Sequence, residues 1–208
     1  STVSYLAVGT CTVTADQAGD ADYNPAPTVF GDIPVGKADQ VITDFIATPA
    51  SGSVGDMPTL SATGGASGNP VIFGSMTMSV CTVSGNTVTL LTSGTCTVTA
   101  NQAGNDNFNP APQVTTDISV DKANQTISGL AADPVSGVVD GSSSLSATAS
   151  SGLPVTFGSS TLGVCTVAGS TVSYLAAGTC TVTADQAGDD DYNAAPQVTL
   201  DITVAKAD

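Results

Sequence analysis

Residues 164–184 have the sequence VCTVAGSTVSYLAAGTCTVTA, and residues 80–100 repeat it as VCTVSGNTVTLLTSGTCTVTA. Apolar and hydroxyl side chains alternate along three short runs of this stretch. Alternation with a period of two is typical of β-strands that bury one face. Glycines interrupt the runs at Gly169 and Gly178, and glycine is a usual residue of tight turns. The stretch therefore predicts three short strands joined by tight turns.

The whole chain of 208 residues repeats at a spacing of 84 to 85 residues. Lys37-Ala38-Asp39-Gln40 recurs as Lys122-Ala123-Asn124-Gln125, and Lys206-Ala207-Asp208 follows in turn. This period is too long for one coil of a solenoid and suits a small independent domain. The sequence predicts the C-terminal half of a repeat at 1–36, complete repeats at 37–121 and 122–205, and the start of a further repeat at 206–208.

Similar alternating runs outside the quoted stretch bring the total to about seven short strands in each complete repeat. No run has the 3.6-residue period of an amphipathic helix. The alternative is a disordered Thr-rich linker, but a hydrophobic fraction of 41% and a mean hydropathy of +0.24 argue against it. We therefore predict an all-β fold of tandem immunoglobulin-like β-sandwich domains.

The composition excludes most catalytic and nucleic-acid chemistry. The 18 acidic residues are all Asp, the 3 basic residues are all Lys, and the formal net charge is −15; Glu, Arg, His and Trp are absent. Without His there is no Ser-His-Asp or Cys-His nucleophile. Three Lys form no basic surface for a phosphate backbone, and no apolar run is long enough to span a bilayer. We expect no enzyme, no nucleic-acid partner and no membrane insertion by this segment.

The five cysteines occupy fixed places in the repeat. Cys81 and Cys96 are fifteen residues apart, as are Cys165 and Cys180. The repeated spacing predicts a disulfide in each complete repeat; the alternative is a pair of buried thiols that pack as small hydrophobic groups. Two Cys per repeat without His leave a zinc site half empty. Cys11 is the counterpart of Cys96 and Cys180, so we expect its partner upstream of this sequence.

The stretch from Val164 to Ala184 resembles bacterial Ig-like (BIg) repeats, with Cys in place of two small alanines of that pattern. The resemblance recurs at 80–100 and in part at 3–15. It implies an Ig-like sandwich, and tandem copies in that family form stalks of very large surface adhesins and other extracellular proteins. The cysteines and the Asp-only acidity depart from commoner members, so the resemblance implies no particular binding role.

An Asp-rich segment at 185–193 has copies at 16–24 and 101–109. Clustered carboxylates are ligands for Ca²⁺, which takes six to eight oxygens. The second copy has Asn at most of these positions, which suits solvated turns built on Asp or Asn equally well. The candidate metal ligands are Asp16, Asp20, Asp22, Asp185, Asp189 and Asp191.

Two further residue types recur near the ends of the predicted sandwiches. Tyr23, Phe108 and Tyr192 lie in the Asp-rich segments, where we expect them to cap the sandwich; stacking on a carbohydrate is the alternative. Lys37, Lys122 and Lys206 stand at the predicted junctions, where we expect their charge to fix the linker; the alternative is an isopeptide bond to a nearby Asp or Asn.

These observations predict a structural role. We expect a segment of an extracellular or cell-surface stalk or fibre, made of disulfide-linked Ig-like repeats whose partners are neighbouring repeats or copies of the chain. A variant is a filament subunit in which residues 1–36 are completed by strand addition from a neighbour. The alternative is an adhesin module that binds sugar or protein, with Ca²⁺ in the Asp-rich segments. Apart from Ca²⁺, no cofactor is expected.

Overall fold

The computed structural model describes residues 2–208, which form strands and loops without a helix. The prediction of an all-β fold is confirmed. The strands are β1 Gly9–Ala15, β2 Val29–Val35, β3 Thr43–Thr48, β4 Ser51–Ser53, β5 Thr59–Thr63, β6 Val71–Ser75, β7 Cys81–Ser84, β8 Thr87–Leu90, β9 Gly94–Gln102, β10 Val114–Asp121, β11 Ile127–Asp133, β12 Ser136–Val138, β13 Ser142–Ala149, β14 Thr156–Ser159, β15 Cys165–Ala168, β16 Thr171–Tyr174, β17 Gly178–Asp185 and β18 Val198–Ala205.

Each predicted complete repeat contains two four-stranded sheets. In residues 122–205 the strand orders are β11-β13-β16-β15 and β12-β18-β17-β14. In residues 37–121 they are β3-β5-β8-β7 and β4-β10-β9-β6, which is the same topology strand for strand. Two mainly antiparallel sheets of this kind make an Ig-like β-sandwich, as the alternating pattern predicted.

Contacts divide the described chain into two compact units. The first comprises residues 2–50, Met57–Thr89 and Thr95–Ile118, and the second comprises Ser51–Asp56, Leu90–Gly94 and Ser119–Asp208. The residues 2–36 therefore belong to the same unit as most of the repeat that follows them.

The core of residues 122–205 is mainly aliphatic and contains a disulfide that joins its two sheets. Cys165 on β15 is bonded to Cys180 on β17, with 5.6 Å between their Cα atoms, and both are fully buried. Cys81 on β7 and Cys96 on β9 form the same bond in the other repeat. Closing a loop of this length stabilises a fold by ~3 kcal/mol in the chain-entropy model. The rest of the cluster is Ala132, Leu145, Val172, Tyr174, Val182, Ile202 and Val204.

Strand β12 differs from the prediction, which did not include it. It pairs in parallel with β18, and β4 pairs in the same way with β10. A Cβ on Gly137 would lie 2.1 Å from the Tyr174 ring, so the aromatic ring packs directly on the strand backbone. Because Ser-Gly-Val and Ser-Gly-Ser have no apolar alternation, these three-residue strands leave no period-two pattern in the sequence.

Strands β1 and β2 form a hairpin in the register of the complete repeats. Cys11 faces Ile33, as Cys180 faces Ile202 in the β17–β18 pair. Cys11 is unpaired and half-buried, whereas Cys180 is fully buried. The hairpin pairs only with itself among the described residues, so one of its faces lacks the second sheet that covers the equivalent face elsewhere.

The close approach of Tyr174 to Gly137 predicts the effect of a single methyl group. Gly137→Ala forces the ring or strand β12 to move, and overpacking of this kind costs ~1–3 kcal/mol. Gly163→Ala is the matched control, because its Cβ would meet no atom within 4 Å. Urea unfolding followed by circular dichroism measures both. Equal stability of the two variants would contradict this packing.

Candidate functional site at the repeat junctions

The Asp-rich segments form one loop structure three times. We call it the Asx loop: residues 16–24, 101–109 and 185–193. In the third copy the Asp189 carboxylate accepts hydrogen bonds from the backbone N–H groups of Asp191 (2.9 Å) and Tyr192 (2.8 Å). Asp20 and Asn105 accept the equivalent bonds in the other copies. Asp and Asn interchange here because both have a side-chain oxygen at the same reach.

A glycine precedes this turn in every copy, at Gly19, Gly104 and Gly188. A Cβ at any of the three would lie 2.2 Å from the carbonyl oxygen of the aromatic residue four positions on. No other residue fits this backbone without a shift of the loop. The three loops therefore have the same tight shape, including the copy at 16–24.

The opening segment of each complete repeat, residues 37–40 and 122–125, is bound to the Asx loop of the same repeat. The Ala38 N–H donates to the carbonyl of Asn107 at 2.9 Å, and the Asn109 N–H donates to the carbonyl of Ala38 at 2.8 Å. Ala123 makes the same pair of bonds with the third loop. Each pair is a short parallel β-bridge, so the opening segment lies in a defined register on the loop.

Side chains of the opening segment add to this bridge. The Lys37 ammonium donates to the carbonyl of Asn105 at 2.7 Å, and Lys122 donates to the carbonyl of Asp189. The Asn109 amide also donates to the Asp39 carboxylate at 2.8 Å. Hydrogen bonds with one charged partner are about twice as strong as neutral ones. The Asn193 amide donates to Asn124 Oδ1 at the equivalent place in the other repeat. Lysine and an Asp or Asn side chain thus hold the start of each repeat against its loop.

Four buried glutamines form hydrogen bonds in or beside the Asx loops of the two complete repeats, and the sequence analysis did not single them out. Gln102 accepts a hydrogen bond from Gly65 N–H at 2.7 Å and donates to the carbonyl of Asn69 at 2.7 Å. No buried side-chain nitrogen or oxygen within residues 2–208 lacks a partner. The glutamines recur at matched positions of the two complete repeats, and this recurrence is the sequence signal that could have identified them. The four, each at most 7% exposed, are Gln40, Gln102, Gln125 and Gln186.

The Asx loop also contacts the turn that precedes the second cysteine position of the preceding repeat. We call this the pre-cysteine turn: residues 6–9, 91–94 and 175–178. Within the first compact unit, Val8 N–H donates to Asn107 Oδ1 at 3.1 Å. Within the second, Ser93 N–H donates to Asp191 Oδ1 at 2.8 Å. The same hydrogen bond therefore recurs at the repeat spacing, with Asn and Asp as equivalent acceptors.

Further contacts support the two junctions. The Ser93 hydroxyl donates to the carbonyl of Asp190 at 2.7 Å. In the first unit, Phe108 of the Asx loop lines a cavity of about 280 Å³ together with Tyr5, Leu6 and Val8. Phe108 thus faces apolar residues that precede its own repeat, in addition to its place at the end of the sandwich.

The candidate metal ligands are divided among separate contacts. Asp16 accepts a hydrogen bond from the Thr28 hydroxyl, and the Asp185 carboxylate accepts one from the Gln197 amide at 2.7 Å. Within residues 2–208 the structure brings no three carboxylate, His or Cys groups together in an arrangement that could hold a metal. The Asp20 and Asp189 carboxylates accept hydrogen bonds within their Asx turns, and the Asp191 carboxylate accepts the junction hydrogen bond from Ser93. Calcium binding by these loops stays a prediction.

Comparisons with known proteins give weak similarity. No protein-family model matches the sequence, and no curated protein matches it. The chain is similar to domains 1–6 of the surface layer protein SbsC, at 13% identity over 97% of this chain and 35% of that chain, with a TM-score of 0.32. It is also similar to a 282-residue C-terminal fragment of intimin in complex with an intimin-binding domain, at 19% identity over 78% and 64%, with a TM-score of 0.32.

The chain thus spans about a third of the length of the SbsC structure. Similarity this weak shows neither family membership nor function, so the BIg resemblance stays a prediction. Separately, the described residues contain no helix long and apolar enough to cross a bilayer.

The Asx loop predicts a difference between two substitutions at Asp189. Asp189→Asn should leave the melting temperature near the wild-type value in EDTA, because Asn105 fills the same role. Asp189→Ala removes both acceptor bonds and should cost ~1 kcal/mol, about 4–8 °C in a domain of this size. Thermal unfolding with EDTA and with Ca²⁺ measures the effect. A calcium-induced rise that is lost in Asp189→Asn would show instead that the loop holds metal.

Proposed function

We propose that this chain is a load-bearing segment of an extracellular stalk or fibre, in which sandwiches are joined in series. The observation that supports it most is the recurrence of one junction hydrogen bond, from Val8 to Asn107 and from Ser93 to Asp191. A contact that recurs at the repeat spacing is expected where successive domains are arranged regularly. Together with the bound opening segment, it leaves no flexible tether between repeats.

The disulfides support the same role. Each bond joins the two sheets of one sandwich, and all four bonded cysteines are fully buried. Disulfides persist in oxidising compartments, which supports a location of the proposed stalk outside the cell or on its surface. A crosslink between the sheets also limits how far a sandwich extends when it is pulled apart.

The surface of the chain suits a soluble fibre. The net charge is −15, and aspartates such as Asp117 and Asp201 lie on exposed strand faces, where each accepts a hydrogen bond from a cross-strand threonine. Like charge of this size opposes lateral association of one fibre with another. An array of this kind has hydrogen-bonded contacts along its length and like-charge repulsion between neighbouring arrays.

The hairpin β1–β2 fits the filament variant of this proposal. Its Cys11 side is half-buried, whereas in the complete repeats the equivalent face is covered by the sheet that contains Cys81 or Cys165. The N-terminal half of another repeat has a cysteine at the position of Cys81 or Cys165. Its sheet would cover this face and place a thiol beside Cys11. Strand addition from a neighbour is the general form of such a completion.

Single-molecule force extension tests the structural role. We expect two cooperative unfolding events from residues 37–205, one for each sandwich. With the disulfides intact, the residues between the bonded cysteines, whose separation is 15, do not extend. Reduction should therefore lengthen each event by ~50 Å, since an extended residue spans ~3.5 Å.

The matched control is the double variant Cys165→Ala/Cys180→Ala, which lacks one of the two disulfides. Under oxidising conditions, one of its two unfolding events should be longer than in the oxidised wild type, and the other should be unchanged. Extension without cooperative events would contradict a load-bearing role. Events of equal length before and after reduction would show that the crosslinks do not limit extension.

A further inference from the structure

We propose that Asn124 is a site of N-linked glycosylation, with Asn124-Gln125-Thr126 as the motif that a transferase recognises. Asn-x-Ser/Thr, in which x is not Pro, is the acceptor for N-linked sugars at the surface of secreted proteins. The motif occurs once in the sequence. The inference rests on the extracellular location proposed above, because such sugars are added to secreted chains.

The two residues of the motif that take part in the chemistry are exposed, and the residue between them is not. Asn124 and Thr126 lie at the surface, whereas Gln125 is 3% exposed. This alternation continues to Ile127, which is buried and begins strand β11. In an extended backbone alternate side chains point to opposite sides, so Asn124 and Thr126 share the side that faces solvent.

The amide nitrogen of Asn124 makes no contact that a sugar would break. The Asn193 amide donates to Asn124 Oδ1 at 3.0 Å. The equivalent bond in the other repeat runs from the Asn109 amide to the Asp39 carboxylate, which can only accept. The position therefore contacts its loop through an oxygen, and within residues 2–208 Asn124 Nδ2 donates to no acceptor. A sugar on Nδ2 leaves Oδ1 in place, so the bond from Asn193 is kept.

The hydroxyl group of Thr126 is also without a partner within residues 2–208, while the backbone of this residue is fixed. Its N–H donates to Ser150 Oγ at 3.0 Å, and its carbonyl accepts from the Ser150 N–H at 2.9 Å. Because this backbone is bonded and Gln125 is buried, the transferase binds the segment before it folds onto the sandwich. The folded protein then has room for the sugar at the surface.

Transfer requires a sugar that is activated as a glycosyl phosphate. The bond between Asn124 Nδ2 and the anomeric carbon of the sugar forms as the bond from that carbon to a phosphate oxygen breaks. The phosphate leaves with the electron pair, and one amide proton passes to a base of the transferase. The product is a glycosylated amide, which still has a carbonyl oxygen as acceptor.

The other complete repeat contains a matched segment without the motif. Its sequence is Asp39-Gln40-Val41, in which both chemically active positions differ. Asp39 and Val41 are exposed and Gln40 is buried, as in the segment at 124–126. The segment at 39–41 therefore has the same exposure without an acceptor. We expect a sugar on the repeat at 122–205 and none on the repeat at 37–121.

Peptide mapping by mass spectrometry, on protein recovered from the cells that make it, tests this expectation. Lys is the only basic residue, so trypsin releases residues 38–122 and 123–206 as separate peptides. Peptide 123–206 should contain a sugar chain that fragmentation locates at Asn124, and peptide 38–122 should have no N-linked sugar. A peptide 123–206 that is unmodified at Asn124 overturns the proposal. The force-extension pattern is measured on the unmodified chain, so it separates this failure from failure of the proposed function.

Variants made in a secretory host that adds N-linked sugars test the role of the motif. Thr126→Val removes the hydroxyl group at nearly constant volume and should abolish the modification, whereas Thr126→Ser should retain it. Asp39→Asn combined with Val41→Thr builds the motif on the matched segment and should add a sugar to peptide 38–122. Modification of Thr126→Val at the wild-type level, or a double variant that gains no sugar, overturns the proposal.

Discussion

The proposed array depends on the binding of each opening segment to the Asx loop of its own repeat. Ala38 and Ala123 form a parallel β-bridge to that loop, and Lys37 and Lys122 add hydrogen bonds to its carbonyl groups. The bridge fixes where a repeat begins, and the same loop presents an acceptor to the preceding repeat. The Asx loop therefore binds the opening segment of its own repeat and also contacts the preceding repeat. Because both contacts use this one loop, the two junctions are alike.

Within each sandwich the disulfide and the loop play separate roles. The bond between β15 and β17, like the one between β7 and β9, joins the two sheets in cores with few aromatic groups. The buried Gln40 and Gln125 side chains donate hydrogen bonds to backbone carbonyl groups of the Asx loops at one end of the sandwich, where an unpaired polar group would cost ~1–3 kcal/mol. A small core thus gains stability from a covalent crosslink and from hydrogen bonds at its end.

Much of the fold could be predicted because strand alternation and the cysteine positions repeat in the sequence. The two three-residue strands could not be predicted. In β12 the Tyr174 ring leaves no room for a side chain at position 137, so the residue is glycine and the strand has no alternating pattern. The Asx turns were foreseeable from the exchange of Asp189 with Asn105. The junction was not, because its donor is the backbone N–H of Ser93 and a backbone group leaves no trace in residue identity. Calcium binding at the same loops stays a prediction.

Amide hydrogen exchange at Ser93, measured by NMR in dilute protein, tests the junction most directly. The Ser93 N–H should be protected in the wild type and exchange freely in Asp191→Ala, where its acceptor is absent. The Ala177 N–H in the equivalent turn donates to no acceptor among residues 2–208, so it is an internal reference that should exchange freely in both proteins. Exchange at Ser93 as fast as at Ala177 in the wild type would contradict a fixed junction between repeats.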